Sequence, residues 1–356
     1  MSDPLDYFRS ELNRLHAYAV PDASGLVKLD AMENPYRLPD DIKKKWLKFL
    51  EAEQINRYPA PNPEVLKQKL QTIFGPKDDC GFLFGNGSDE LIQLLVMAIA
   101  KPNACIMSVT PSFSMYQMIG DIVGVKSYSV NLDENFELDF EALLAAIEKH
   151  SPSLLFLAYP NNPTGNLWKR DQIETIVTST NGFVIIDEAY GPFASDSFVD
   201  DLAHYKNMLL LRTASKLGLA GIRFGWLVGN AEIIAELNKL RLPYNINQLT
   251  QLTLEFALDN FQIFAQQAKT LCDSRSKLFA ELSAINEIKA YPSQANFILI
   301  KVLSKDATQV FENLLSQKIL IKNLSKQNGL DQCLRITVGT EEENNQLLTA
   351  LDKALS

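Results

Sequence analysis

The sequence predicts an α/β fold with a mostly parallel sheet flanked by helices, followed by a smaller α+β domain. Between residues 82 and 230, short apolar runs alternate with amphipathic runs of helical length. This order is typical of parallel strands joined by crossover helices. From about residue 231, long helical runs replace the alternation. With 356 residues, 46% of them apolar, the chain is long enough for two domains.

We expect an N-terminal arm over residues 1–35, a large domain over 36–245 and a small C-terminal domain over 246–356. Strands are predicted where apolar residues cluster, at 82–85, 104–109, 126–130, 154–160, 182–190, 208–214, 225–230, 296–302 and 334–339. Helices are predicted where apolar residues recur with helical spacing, at 40–54, 64–75, 89–100, 114–123, 139–149, 170–180, 232–243, 250–284, around 307–317 and at the C-terminus.

The bulk properties exclude several classes of function. A net charge of -9 without a Lys/Arg-rich stripe argues against nucleic-acid binding. No apolar stretch reaches about 20 residues, so we expect no membrane span. Four dispersed cysteines without a CxxC pattern, and only three histidines, make a disulfide framework or a metal site unexpected. Such thiols fit a cytoplasmic location.

A lysine and an aspartate stand at the ends of two predicted strands. Lys216 follows the strand 208–214 within TASKLGLAGIRFG, and Asp187 ends the apolar run FVII. In open α/β folds, ligands bind at the carboxyl edge of the sheet, where both side chains would lie. The amine can form a Schiff base with pyridoxal phosphate, and the carboxylate can keep the cofactor's pyridine nitrogen protonated. Glu188 is the alternative acid, although strand alternation directs it to the other side.

Two polar residues are suited to the phenolic oxygen of the same cofactor. Asn162 lies in NNPTG after a buried strand, and Tyr190 ends the DEAY run. Hydrogen bonds from these groups stabilise a phenolate. Phe113, in PSFSMY, can stack on the cofactor ring or belong to the core. The sequence therefore predicts donors to the phenolic oxygen and one candidate for stacking on the ring face.

The phosphate is assigned to a glycine-rich turn before a helix, in GNGSDE at 85–90. We expect backbone amides to bind the phosphate, chiefly those of Gly87 and Ser88, and we assign Asp89 to the same site. Ser88 also reads as a helix N-cap. Arg223 would supply the cation and Ser215 a hydroxyl.

Together these motifs resemble the fold-type I aminotransferases that use pyridoxal phosphate, and within them the histidinol-phosphate aminotransferases. The resemblance covers nearly the whole chain. It rests on LHAYAVP, LDAMENPYRLP, RYPAP, GNGSDE, PSFSMY, YPNNPTG, DEAY, TASKLGLAGIRFG and LRITVGT, which occur in the family's order. Three departures stand out: the loop from Lys216 to Arg223 is one residue shorter than is common in the family, Phe113 replaces a frequent Tyr, and Met32 replaces a frequent Asn.

The resemblance implies a homodimer in which Tyr58 reaches the cofactor phosphate of the partner subunit. It implies substrate contacts from Tyr18, Glu33 and Asn34. Arg335, bracketed by apolar residues in LRITVG, would bind the carboxylate of glutamate and the anion of histidinol phosphate in turn. The implied reaction is a reversible, ping-pong transamination between L-histidinol phosphate and 2-oxoglutarate, as a step of histidine biosynthesis.

Two alternatives use the same residues. An aromatic amino-acid transaminase, or a lyase or decarboxylase acting on amino-acid phosphates, needs the same lysine, aspartate and arginine. A regulator that binds ligand without turnover would need an added DNA-binding module. The short arm and the acidic charge do not favour such a module.

Overall fold

The computed structural model describes residues 3–9, 15, 17, 21–76 and 80–356. After a short strand β1 (Val27–Lys28), the described part of the chain forms a seven-stranded sheet in the spatial order β2-β8-β7-β6-β5-β3-β4. Its strands are β2 (Gly81–Gly85), β3 (Cys105–Thr110), β4 (Lys126–Asn131), β5 (Leu154–Ala158), β6 (Phe183–Asp187), β7 (Met208–Thr213) and β8 (Gly225–Gly229). Only β8 runs against its two neighbours. The predicted α/β fold with a mostly parallel sheet is confirmed.

Helices cover both faces of this sheet. They are α1 (Asp40–Glu51), α2 (Glu64–Phe74), α3 (Ser88–Ala98), α4 (Met115–Val123), α5 (Phe140–His150), α6 (Arg170–Ser179) and α7 (Ala231–Asn238). Each face has its own apolar cluster, because successive side chains of a strand point to opposite sides. In β6, Val184 and Ile186 belong to one cluster and Ile185 to the other.

The C-terminal part builds a second, four-stranded antiparallel sheet in the order β12-β13-β10-β9. Its elements are α8 (Gln248–Asp259), α9 (Phe261–Ser283), β9 (Ile288–Ala290), β10 (Phe297–Val302), α10 (Ala307–Ser316), β11 (Ile319–Leu320), β12 (Lys322–Asn323), β13 (Cys333–Thr337) and α11 (Glu341–Leu355). Strand β1 pairs with β11 in parallel, which fastens residues 27–28 to this C-terminal part.

Three details differ from the predicted elements. The long helical stretch 250–284 is two helices, because the backbone of Asn260 leaves the helical region at φ -115. The strand predicted over 182–190 ends at Asp187; the Glu188 N–H still donates to the Leu211 carbonyl at 2.8 Å, and residues 189–190 form a turn. Strands β1, β9, β11 and β12 were not predicted, since two or three residues are too few for a period-two pattern to be recognised.

The domain limits at residues 35 and 245 stay predictions. Helix α8, which begins just after the second limit, packs against α1 of the large domain. The Trp46 indole donates to the Thr253 hydroxyl at 3.1 Å, and the rings of Phe49 and Phe256 lie 5.9 Å apart. This packing favours a limit after α8. None of the helices in the described ranges is long and apolar enough to cross a bilayer.

Candidate active site

A cavity of about 210 Å³ opens at the carboxyl edge of the parallel strands, where β5, β6 and β7 end at Ala158, Asp187 and Thr213. Its other lining residues come from the arm, from the start of α3 and from the loops that follow the strands: Ala31, Met32, Glu33, Ser88, Asp89, Phe113, Asn162, Ala189, Tyr190, Ser215, Lys216, Ala220 and Arg223. Most of the residues that the sequence assigns to cofactor or substrate therefore line one cavity.

Asp187 is a buried carboxylate at the end of β6, with 4% of its surface exposed. It accepts hydrogen bonds from the backbone N–H of Ala189 at 3.0 Å and from the Tyr116 hydroxyl at 2.6 Å. Burial raises its pKa to about 6, although both hydrogen bonds act in the opposite direction. Within the described ranges, Asp187 forms no ion pair with Lys, Arg or His. A protonated pyridine nitrogen would supply the missing cation, so this residue fits pyridoxal phosphate.

Lys216 lies in a short 3-10 turn directly after β7. Its Nζ donates to the carbonyl of Ala31 at 3.3 Å and lies 5.6 Å from the ring centre of Tyr190. Burial, together with the nearby charge of Arg335, lowers the pKa of the amine to about 8. A lysine with this pKa has a substantial neutral fraction near physiological pH, as a nucleophilic amine requires.

Asn162, Tyr190 and Arg335 form a buried chain of hydrogen bonds. The Asn162 amide donates to the Tyr190 hydroxyl at 3.1 Å, and Arg335 Nη1 donates to Asn162 Oδ1 at 2.6 Å. Arg335 Nη2 donates to the carbonyl of Asp30 at 2.9 Å. Burial holds the pKa of Tyr190 well above its usual value, so its hydroxyl keeps a proton to donate. The arginine on β13 thus connects the second sheet and the arm to the cavity.

The predicted phosphate site gathers at the N-terminus of α3. Gly87 is the N-cap with φ 81, and a Cβ there would lie 2.8 Å from Arg223 Nη2. Arg223 itself has φ 51 and lies 3.4 Å from an Asp89 carboxylate oxygen. The prediction that Ser88 caps the helix is wrong, because Ser88 is already its first residue. A helix N-terminus beside a guanidinium suits a phosphate dianion.

Two further predicted residues adjoin this end of the cavity. The Ser215 hydroxyl accepts from the Thr213 hydroxyl at 2.9 Å. The ring of Phe113 lines the cavity and also meets the ring of Tyr116 edge-on, at 5.5 Å between centres. Phe113 can therefore both contact the cofactor ring and pack against the interior of the protein.

Other predicted residues lie at the margin or outside. Glu33 lines the cavity and forms an ion pair with Lys28. Asn34 does not line it, and its amide instead donates to the Leu217 carbonyl at 3.2 Å. Tyr58 is 81% exposed, away from the cavity of its own chain. Tyr18 lies outside the described residues.

Sequence reasoning missed Tyr116 and Thr213. Tyr116 is only 1% exposed and donates to Asp187 across 71 positions of sequence. Its signal is present, since Tyr116 stands three residues after Phe113 in PSFSMY, but nothing local identifies its partner. Thr213 ends β7 and binds the backbone carbonyl of Phe224.

Comparison with known proteins gives a consistent result. Residues 24–351 match the family "Aminotransferase class I and II". Histidinol-phosphate aminotransferase 2 of Nitrosococcus oceani is 44% identical over 346 residues, which cover 97% of this chain and 96% of that protein. The crystal structure of the histidinol-phosphate aminotransferase from Clostridium acetobutylicum superposes with a TM-score of 0.84 at 25% identity, covering 92% of this chain and 98% of that one.

A second solved structure shows the same fold. It is a histidinol-phosphate aminotransferase from Sinorhizobium meliloti in complex with pyridoxal-5'-phosphate, with a TM-score of 0.86 at 21% identity, covering 98% of this chain and 97% of that one. The chain belongs to the class I and II aminotransferase family. Its resemblance to the histidinol-phosphate aminotransferases, predicted from the motifs, is confirmed.

Proposed function

We propose that this protein is a pyridoxal-phosphate-dependent transaminase that interconverts L-histidinol phosphate and 2-oxoglutarate with imidazole-acetol phosphate and L-glutamate, within histidine biosynthesis. The observation that carries the proposal is the single cavity in which Lys216 and Asp187 meet the polar groups described above. The name of a relative 44% identical over nearly the whole chain supports the choice of substrate.

When bound, pyridoxal phosphate supplies an electron-withdrawing ring that stabilises negative charge on a substrate carbon. Asp187 holds the ring nitrogen, and its burial makes an ionic partner strongly favourable. Asn162 and Tyr190 donate to the phenolic oxygen. Phe113 covers one face of the ring. Each of these four residues contributes to the cavity wall.

The phosphate would be held by the amides of Ser88 and Asp89 at the start of α3, where the first N–H groups have no partner within the helix. The N–H of Gly87 already donates to the Gly85 carbonyl at 2.9 Å, so Gly87 would contribute to this site mainly by leaving room for the phosphate. Arg223 and the hydroxyl of Ser215 complete this site. In the structure the Asp89 carboxylate lies 3.4 Å from Arg223 Nη2.

Lys216 both attaches the cofactor and moves a proton at the substrate carbon. Its lowered pKa, about 8, lets the amine accept and return a proton near neutral pH. The buried guanidinium of Arg335 adjoins the amine and binds the substrate anion, carboxylate or phosphate. Tyr18, Glu33 and Asn34 are proposed to contact the rest of the substrate.

A homodimer is part of the proposal. Tyr58 stacks on Tyr244 with ring centres 4.6 Å apart, and both rings are exposed in the single chain. Two exposed apolar side chains lie within three residues of this pair in the sequence, Ile55 at 74% and Leu242 at 75%. Such a surface favours a protein partner, and a second copy would bring Tyr58 to the partner's cofactor phosphate. The cytoplasmic location remains a proposal.

The deciding assay compares two acceptors with glutamate as donor. We expect turnover of imidazole-acetol phosphate to exceed that of phenylpyruvate by at least about a hundredfold in kcat/KM, which corresponds to about 2.7 kcal/mol. Purified protein with added pyridoxal phosphate should absorb at about 410–430 nm, and Lys216→Ala should lose the band. A hundredfold preference for phenylpyruvate would contradict the proposed substrate, and a wild-type protein without the band would contradict the cofactor.

A further inference from the structure

Tyr116 is a buried tyrosine whose hydroxyl reaches the acid that the proposed function assigns to the cofactor ring nitrogen. Its O–H lies 2.6 Å from Asp187 Oδ2. In the part of the chain that the structure describes, no other side chain donates a hydrogen bond to this carboxylate; its second donor is the backbone N–H of Ala189. A short bond of this kind to a charged oxygen is among the stronger hydrogen bonds in proteins.

The direction of the Tyr116 hydroxyl is fixed by packing rather than by solvent. The ring stacks on Phe156 of β5, with centres 4.6 Å apart and planes within 9°. Phe113 meets it edge-on from the cavity side, at 84°. With 1% of the residue exposed, no water competes for the hydroxyl. The Tyr116 ring therefore contacts Phe113, which is proposed to cover the cofactor face. The Tyr116 hydroxyl donates to Asp187, which is proposed to hold the cofactor's ring nitrogen.

We propose that Tyr116 is a positioning residue for transamination: its hydroxyl holds the Asp187 carboxylate in orientation and weakens it as a base, so that the proton between Asp187 and the cofactor stays on the ring nitrogen. This inference rests on the proposed function for its cofactor. It adds a residue that acts through Asp187 and touches no substrate.

The charges around the pair are consistent with this role. Burial raises the pKa of Asp187 to about 6, which makes the carboxylate comparable in basicity to a pyridine nitrogen. The hydrogen bond from Tyr116 acts in the opposite direction on Asp187, and the pKa of Tyr116 itself is held far above its usual value, so the phenol remains the donor. Asp89, Glu188 and Tyr190 are the other ionisable groups that act on one or both members of the pair.

Tyr116→Phe removes the hydroxyl and keeps the ring contacts. We expect two changes in the cofactor-loaded protein: the pH midpoint of the visible band, which reports the nitrogen that joins Lys216 to the cofactor, rises by about half a unit or more, and pyridoxal phosphate dissociates about tenfold more readily. The midpoint should rise because a ring nitrogen with less positive charge withdraws less electron density from the nitrogen that joins Lys216 to the cofactor. We expect kcat to fall about tenfold with KM within about twofold, since Tyr116 touches no substrate.

Tyr159→Phe is the matched control. Tyr159 is 2% exposed, and its hydroxyl donates to the Asp196 carboxylate at 3.0 Å, outside the cavity. The control removes an equivalent buried hydroxyl, so loss of stability alone would affect both variants, whereas only Tyr116→Phe should move the band midpoint. A band midpoint in Tyr116→Phe that matches Tyr159→Phe and wild type would overturn the proposal.

A second variant should shift the band midpoint in the opposite direction. 3-Fluorotyrosine at position 116 keeps the shape and donates a stronger hydrogen bond, so the midpoint should fall below that of wild type. A rise would contradict the proposal. The band midpoint needs no turnover, so a wild-type protein that binds pyridoxal phosphate but does not transaminate histidinol phosphate would refute the proposed function and leave the test of Tyr116 intact.

Discussion

Asp187 is the last residue of β6, and Glu188 follows it. Both acids are buried, but among the described residues only Glu188 forms an ion pair. Glu188 is 1% exposed, and Arg212 Nε and Nη2 both donate to its Oε2, at 2.9 and 2.6 Å, while its oxygens also accept from Ser197 and from the Phe198 backbone. Asp187, 4% exposed, accepts from a phenol and one backbone N–H, and forms no ion pair among the described residues.

The difference distinguishes an acid that serves the fold from one that we propose to bind the cofactor. The charge of Glu188 is compensated within the fold, so it stabilises the connection between β6 and β7. In our proposal, the charge of Asp187 would be compensated by the cationic ring nitrogen of the cofactor. Strand alternation produces this division, because the pairing with β7 continues one residue past β6, where the Glu188 N–H donates to the Leu211 carbonyl at 2.8 Å, and successive side chains of a strand point to opposite faces of the sheet.

The largest effect should follow Asp187→Asn. An amide keeps the shape of the carboxylate and cannot balance a protonated ring nitrogen, so we expect kcat to fall about a thousandfold or more. Steady-state kinetics with glutamate and imidazole-acetol phosphate measures the loss. A decrease of less than about tenfold would show that the charge of Asp187 is not needed.

The same variant should make the cofactor-free protein more stable. The folded-state pKa of Asp187, about 6, lies above the ordinary aspartate pKa of 3.8, so wild type loses stability as the pH rises between these values and bears the full cost above them. Asparagine has no charge, so the variant does not lose stability by burying one. We expect a gain of up to about 3 kcal/mol at pH 8, falling to about half at pH 5. Denaturant unfolding of cofactor-free protein at both values checks the sign, and a loss of stability at pH 8 would contradict it.

Glu188→Gln should lower the stability of the protein and leave kcat nearly unchanged. It leaves the half-buried guanidinium of Arg212 without its carboxylate, which we expect to cost about 3 kcal/mol of unfolding free energy. The folded variant should keep kcat within about threefold, because Glu188 faces away from the cavity. Glu232→Gln is the control: it breaks the exposed Lys206–Glu232 pair and should leave stability unchanged. A large fall in kcat for Glu188→Gln would mean that the two acids do not have separate roles.

A smaller effect concerns Lys216. With a pKa of about 8, its neutral fraction rises from about a tenth at pH 7 to about nine-tenths at pH 9. The rate at which cofactor-free protein captures pyridoxal phosphate should therefore rise about tenfold over this range and then level off. Stopped-flow absorbance measures the rate, with a free lysine derivative as control. A protein rate that keeps rising beyond pH 10, as for the free amine, would contradict a lowered pKa.

The sequence was sufficient to predict the fold class and most of the polar residues that line the cavity, because their chemistry is local to the motifs. Lys216 follows an apolar strand and Asp187 ends one, and the ends of parallel strands meet at one edge. The bond between Tyr116 and Asp187 was not predictable in this way, since it depends on how α4 packs against the sheet. The break at Asn260 was also missed, because apolar residues continue with helical spacing on both sides of it.

Crystallography of the protein loaded with pyridoxal phosphate tests the role of Asp187 most directly. We expect an Asp187 oxygen within about 3.0 Å of the cofactor ring nitrogen, with Tyr116 still bound to the other side of the carboxylate and Lys216 Nζ bonded to the aldehyde carbon. A ring nitrogen that contacts water or another residue, with Asp187 turned away, would contradict the assignment of this acid to the cofactor.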